Sequence, residues 1–275
     1  MINANKLGLL NSKNVFLSYK GTKDKNVFFI GSCRITPLMF YFNQFFPEYN
    51  VFGIYVPYWS NTSTMSRDVV QKILHNTDLL VTETVRSYNI LNTDRSEKNN
   101  FFETFDVKAS EIRITNLELR MYIYDLINTF NLKIEESFEH FEKSKTRLKS
   151  SLKNRDQEFI WKFIDSNLEI LKLFSTHNHP TRILSILTFT KIANIMGGTL
   201  DFEFIKKISK YDFLESNSTP ITYMDVEKYK LKFKTKIFEN NIVYDKSFLY
   251  HPPDEEKIVC DSTIEKILEA QSKIC

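Results

Sequence analysis

The chain has 275 residues, 42% of them apolar, with 37 Lys and Arg against 34 Asp and Glu and a formal net charge of +3. That is enough apolar side chain for a full core and excludes wholesale disorder, and a charge so near balance gives no argument for a nucleic-acid binder, which would show a concentrated basic face. Three cysteines (Cys33, Cys260, Cys275) without a CxxC fit neither a disulfide framework nor a cysteine zinc site. With no signal-peptide pattern and no apolar run of about 20 residues, the expectation is a protein of the reducing cytoplasm without a membrane span.

In chain order, NVFLSYK (14–20) reads as a first strand or hairpin arm, and NVFFIG (26–31) as a buried strand ending at Gly31. ITPLMFYFNQFF (35–46) reads as a helix with Pro37 in its first turn, where the missing N–H is harmless. YNVFGIYV (49–56) is a second strand, Ser66 caps a helix through Leu74, and DLLVTET (78–84) is a third strand. Strand–helix–strand–helix–strand predicts a parallel sheet flanked by helices. Residues 85–105 read as a polar loop, and about 107–170 as a helical insertion or cap, with Leu119, Ile123, Leu126, Ile127 and Phe130 on one apolar face and Phe159, Phe163, Ile164 and Leu168 on another. LKLFST (171–176) returns as a sheet strand, followed by a helix from Thr181 to Met196 that ends at Gly197-Gly198. Beyond about residue 218 an extension is expected: a turn at Pro220, a helix from about Tyr223, a break at HPP (251–253) and an amphipathic helix over 262–275. The whole reads as a single α/β domain over 1–275, ending in a docked helix or forming the front part of a longer chain.

Two strand ends carry the chemistry-bearing residues. Ligands of open α/β sheets bind beyond the carboxyl ends of the strands, so a thiol on one end and imidazoles on the other are expected to meet across a cleft. Cys33 follows a strand and precedes a helix, a position that lowers a thiol pKa and favours anions; it reads either as a nucleophile or anion loop, or as a buried structural cysteine. His177 and His179 flank Asn178 before Pro180. An imidazole there is a natural general base, and the alternative is a histidine that caps or packs. Two histidines without a third ligand do not make a metal site, and none is expected. Glu83 ends the third strand, placed to orient a histidine, bind a substrate group, or pair with an arginine. Arg34 and Arg86 suit phosphates. Tyr55, Tyr58 and Trp59 either line a sugar or base site or simply pack. The basic run Lys143 to Arg155 reads as a solvated helix face or a phosphate-binding surface. No GxGxxG, GxxxxGK[ST] or GxSxG motif is present.

Gly31-Ser32-Cys33-Arg34, Asn178-His179-Pro180-Thr181 and Thr219-Pro220-Ile221-Thr222 together resemble motifs of the WcbI-type polysaccharide-biosynthesis acetyltransferases, within the SGNH-hydrolase-like architecture. The resemblance covers about two thirds of the chain and leaves the helical block without a motif. It implies an SGNH-hydrolase-like parallel sheet and an enzyme that binds coenzyme A or acetyl-CoA and moves an acetyl group onto an amino or hydroxyl group of a sugar, expected to be nucleotide-linked. His179 matches the position of the SGNH base and Cys33 that of the nucleophile. Ser32 and Arg34 stand where the family has Asn and Gln, so Ser32 is a second candidate hydroxyl. Thr176 stands where a hydrolase carries its Asp, and no Gly-x-Asn-Asp block is present. Ser32, Cys33, His179 and Glu83 are therefore the catalytic candidates, the Ser32 and Cys33 amides the candidate oxyanion donors, and Gly31, Arg34, Arg86, His177 and Asn178 the candidate coenzyme A contacts. An SGNH-like carbohydrate esterase or deacetylase is the second reading, and a non-catalytic interaction module the third.

Overall fold

Runs of β-branched and aromatic residues with no polar interruption can be buried only where helices cover both sheet faces, and β2 below is such a run. A computed structural model describes residues 16–22, 24–55, 67–83, 89–91, 98–100, 108–211, 213, 219, 221–232, 237–238 and 259–274. The chain divides into two compact units, Met1–Asn116 and Leu117–Cys275.

In the first unit the order is β1 (Phe16–Tyr19), β2 (Lys25–Gly31), α1 (Ile35–Phe45), β3 (Tyr49–Tyr55), α2 (Arg67–His75), β4 (Leu79–Glu83), β5 (Asn89–Leu91), β6 (Lys98–Asn100) and β7 (Ser110–Ile114). β1, β3, β2, β4 and β7 form one sheet in that spatial order. Strands β3, β2, β4 and β7 are parallel, and β1 lies antiparallel on the β3 edge. β5 and β6 pair separately as an antiparallel ladder. Val27, Phe28, Phe29 and Ile30 of β2 are fully buried. α1 closes on β3 so tightly that a Cβ on Gly53 would stand 2.3 Å from Met39 Sδ. At the amino ends of the strands, Asn26 bonds Asn50 Oδ1–Nδ2 at 3.0 Å and takes up the Asn76 carbonyl and Asp78 carboxylate, so the buried strands end in matched polar partners.

β7 corrects the expectation of a helical block beginning near residue 107. Ile112 and Ile114 are buried while Glu111 and Arg113 are exposed, the period-two pattern of a half-buried edge strand. With β3 on one side of β2 and β4 on the other, the chain reverses its direction of progress across the sheet between β2 and β4. Right-handed crossovers then place α1 and α2 on opposite faces. The carboxyl ends of β2 and β4 are the switch point at which such sheets bind ligands.

In the second unit the order is α3 (Ile123–Phe130), α4 (Ile134–Lys153), α5 (Glu158–Asn167), β8 (Phe174–Thr176), β9 (His179–Pro180), α6 (Arg182–Ile195), α7 (Phe202–Ile208), β10 (Ile221–Thr222), α8 (Tyr223–Tyr229), β11 (Ile237–Phe238) and α9 (Asp261–Gln271). The helical block, the helix after Pro180 and the helix starting at Tyr223 are as the sequence predicts. One expectation fails: β8 does not rejoin the parallel sheet but pairs with β9 in a short antiparallel ladder. Pro180 has no N–H to donate, and the Thr181 N–H closes on the Leu173 carbonyl at 2.9 Å just before α6 begins. α6 is buried nearly all round, through Leu184, Ile186, Leu187, Phe189 and Ile192. Its buried hydroxyls turn back onto the helix: Thr188 and Thr190 donate to the Leu184 and Leu187 carbonyls at 2.9 and 2.6 Å. Gly197, at φ 78°, ends it in the left-handed conformation that glycine adopts without strain, and the Gly198 N–H closes on the Ala193 carbonyl at 2.8 Å. Among the described residues no helix is long and apolar enough to cross a membrane.

Candidate functional site

In the first unit, Glu83 organises the switch point. β4 delivers its carboxylate, 2% exposed, to the loop between β2 and α1. Oε2 accepts from the Ser32 backbone N–H at 2.9 Å and from Ser32 Oγ at 2.7 Å, and Oε1 accepts from Arg34 Nε. Gly31 is required by this approach: a Cβ there would lie 2.8 Å from Glu83 Cβ and 2.6 Å from Ile35 Cγ2. Of the readings open for Glu83, the arginine pair is present. The Ser32 amide, a candidate oxyanion donor, is turned onto this carboxylate.

Cys33 follows at once, half-buried, with its carbonyl accepting from the Thr36 N–H at 3.1 Å as α1 begins. Its place before a helix predicts a lowered thiol pKa; the opposite holds. Burial pushes the thiol above its ordinary value, the Arg34 charge opposes this and the Glu83 charge adds to it. Cys33 is therefore a protonated thiol at neutral pH that needs a base before it can attack. Nearby on β3, the buried Tyr55 hydroxyl bonds Thr36 Oγ1, and burial pushes the phenol up to about 12.

In the second unit, the imidazole that holds a carboxylate is His177. Asp125, in the first turn of α3, takes the His177 ring Nδ1 at 2.8 Å and the His177 backbone N–H on the same Oδ2, while Oδ1 accepts from Thr129 Oγ1 at 3.0 Å. Burial alone would raise the Asp125 carboxyl, but the hydrogen bonds and charge of His177, with Thr129, hold it below the usual carboxylate range. An ionised carboxylate can only accept, so the ring donates to it from Nδ1. The ring stands edge-on to Phe130, centroids 5.0 Å apart, and the Arg120 guanidinium lies 4.1 Å above the Phe130 ring. The Leu119 N–H donates to the His177 carbonyl at 2.9 Å.

His179, half-buried, sits opposite Thr176 in the β8–β9 ladder, and Asn178 Oδ1 accepts from Thr176 Oγ1 at 2.9 Å. Thr176, where the resemblance looks for an acid, serves this turn. Thr219 lies beside it, its N–H donating to the Ser175 carbonyl at 2.7 Å. Arg86, Tyr58, Trp59, Ser66, Pro220 and the 251–253 break lie outside the described residues. The basic run is the carboxyl-terminal half of α4 and the turn after it, with Lys145 and Lys149 about Trp161 at 6.0 and 5.9 Å. Among the described residues no three His, Cys, Asp or Glu side chains gather as a metal would need. Asp125 is the residue that sequence reasoning missed. Its signal was an acid inside an apolar helical stripe between Ile123 and Leu126, a position where a carboxylate needs a partner.

The sequence matches no protein-family model and no curated protein. The fold is similar to a solved structure of WcbI, a polysaccharide biosynthesis enzyme, in its native form without a disulfide bond between coenzyme A and a cysteine. The TM-score is 0.52 at 14% identity, over 90% of this chain and 94% of that one. The likeness establishes for this chain the WcbI-like α/β fold that its motifs resemble.

Proposed function

We propose that this chain is an acetyl-CoA-dependent acetyltransferase acting on an amino or hydroxyl group of a sugar, nucleotide-linked, in glycan biosynthesis. The observation that carries the reading is the Asp125–His177 pair, a buried carboxylate that fixes an imidazole through Nδ1; Nε2 is the nitrogen proposed to act as the base. The fold likeness to a polysaccharide biosynthesis enzyme described with coenzyme A supports the donor. In this mechanism His177 Nε2 takes the proton of the acceptor as its nitrogen or oxygen attacks the thioester carbon. The tetrahedral adduct collapses, the carbon–sulfur bond breaks, and the imidazolium returns the proton to the leaving thiolate. Asp125 stabilises the imidazolium in between.

The loop Gly31–Arg34 at the sheet's switch point is the proposed seat of coenzyme A, with Arg34 and Arg86 as the proposed phosphate partners. His179 stays a candidate base beside His177, and Asn178 a candidate contact. Cys33 is the proposed counterpart of a thiol able to form a mixed disulfide with coenzyme A. Its raised pKa favours direct transfer over an acetyl-cysteine intermediate.

Incubation with acetyl-CoA and a panel of nucleotide-linked amino sugars, following free thiol release, tests the reading. Turnover abolished by His177→Ala supports it. No turnover with any acceptor, together with no heat of coenzyme A binding in calorimetry, removes it. A second reading, a carbohydrate esterase or deacetylase, gains from the same pair, because Asp125 supplies the carboxylate absent at Thr176. Hydrolysis of p-nitrophenyl acetate or an acetylated sugar without coenzyme A decides for it.

A further inference from the structure

Asp225 is fully buried at the third position of α8. Part of its role is local. Oδ2 accepts from the Thr222 N–H and Oγ1 at 2.8 and 2.7 Å, and the Asp225 N–H donates to Thr222 Oγ1 at 3.2 Å, a capping box that starts α8. A capping box uses one carboxylate oxygen. The other, Oδ1, reaches 102 residues back along the chain and accepts from the Ile123 N–H at 2.9 Å. Ile123 is the first residue of α3, whose opening N–H groups have no partner within the helix and whose dipole favours a negative charge there. Two residues further on, Asp125 leaves this same turn to hold His177. An amide at 225 has a single acceptor oxygen and cannot serve both Thr222 and Ile123.

We infer that Asp225 is a positioning residue for His177: through the Ile123 N–H it fixes the first turn of α3, from which Asp125 sets the His177 tautomer. Its effect on rate rests on the transferase reading above; the positioning itself does not. The groups about the His177 ring are Asp125 from α3 and Phe130 at the end of α3, with Arg120 stacked on Phe130 and bonded in turn to Glu118 and His140.

The test reads the ring nitrogens of His177 by 15N NMR in the full chain, with no substrate present. The unmodified protein is expected to hold Nδ1–H. Asp225→Asn is expected to lose that signature in favour of the Nε2–H form. Ile123→Pro is expected to do the same by removing the donor. Proline suits the first position of a helix, and Tyr122 before it already has φ −86° and ψ 125°, as a residue preceding proline must. Either variant folding while keeping the wild-type tautomer overturns the inference. So does rapid solvent exchange of the Ile123 amide in the unmodified protein, whether or not the variants fold. Where acetyl transfer is also measured, kcat is expected to fall ~10- to 100-fold in Asp225→Asn with the acceptor KM little changed. Tautomer loss in a protein without transfer activity overturns the transferase reading and leaves the positioning intact.

Discussion

Asp125 accepts two hydrogen bonds from one residue, His177: one from ring Nδ1 at 2.8 Å and one from the backbone N–H. Side chain and main chain are held on the same oxygen, so the ring has one orientation and one tautomer. Asp125→Asn is isosteric, but it turns an acceptor into a group that can also donate and removes the charge that stabilises an imidazolium. Turnover in the acetyl-transfer assay is expected to drop ~100-fold or more with acceptor KM nearly unchanged. Adding His177→Ala is expected to cost little beyond the larger single effect, because the two act as a unit. Multiplicative losses in the double variant contradict that coupling.

The same pair sets an acid limit on stability. The folded Asp125 carboxyl lies below its unfolded value of about 3.9. Its contribution is therefore fully present above about pH 4 and is lost as pH falls through the folded value. Denaturant unfolding between about pH 5 and pH 2 should show this fall in the wild-type protein and a shallower one in Asp125→Asn. Equal slopes in the two proteins refute it.

Glu83 and Arg34 pair out of water, at 2% and 10% side-chain exposure. Removing one partner strands the other, so Glu83→Gln is expected to destabilise the protein by about 3–5 kcal/mol in urea unfolding. Gly31→Ala drives a methyl to 2.9 Å from Glu83 Oε2 and should cost about 1–3 kcal/mol. Both variants disturb the loop proposed to seat coenzyme A, so both should weaken its binding in calorimetry.

The thiols should label in a fixed order. Hydrogen bonds from Ser262 and Thr263 hold the exposed Cys260 thiol below its ordinary value, while burial raises Cys33. In a Cys275→Ser background, iodoacetamide at pH 7 should modify Cys260 well before Cys33, as peptide mapping would reveal. Cys33 labelling should accelerate as pH rises above the usual thiol range. Faster labelling of Cys33 at pH 7 would show that it is an activated nucleophile.

The strands and helices of the parallel sheet were legible in the sequence because each is set by a local rule. The short β-branched and aromatic run Val27–Ile30 between polar turns reads as a buried strand, Pro37 marks a helix start, and Gly197 a helix end. The loop Gly31–Arg34 was legible for the same reason, as a strand end abutting a helix. What sequence alone could not decide was partnership. β7 looked like part of a helical block until pairing with β4 gave its alternation a sheet to lie on, and β8 looked like a sheet strand, yet its partner is β9. Glu83 was visible as a strand end, but its choice of Ser32 and Arg34 depends on the β2–β4 adjacency. Asp125 and His177 stand 52 residues apart, and Asp225 meets the start of α3 across 102. No periodicity encodes such distances. A buried carboxylate must find donors, and the packing of helices already formed determines which ones it finds.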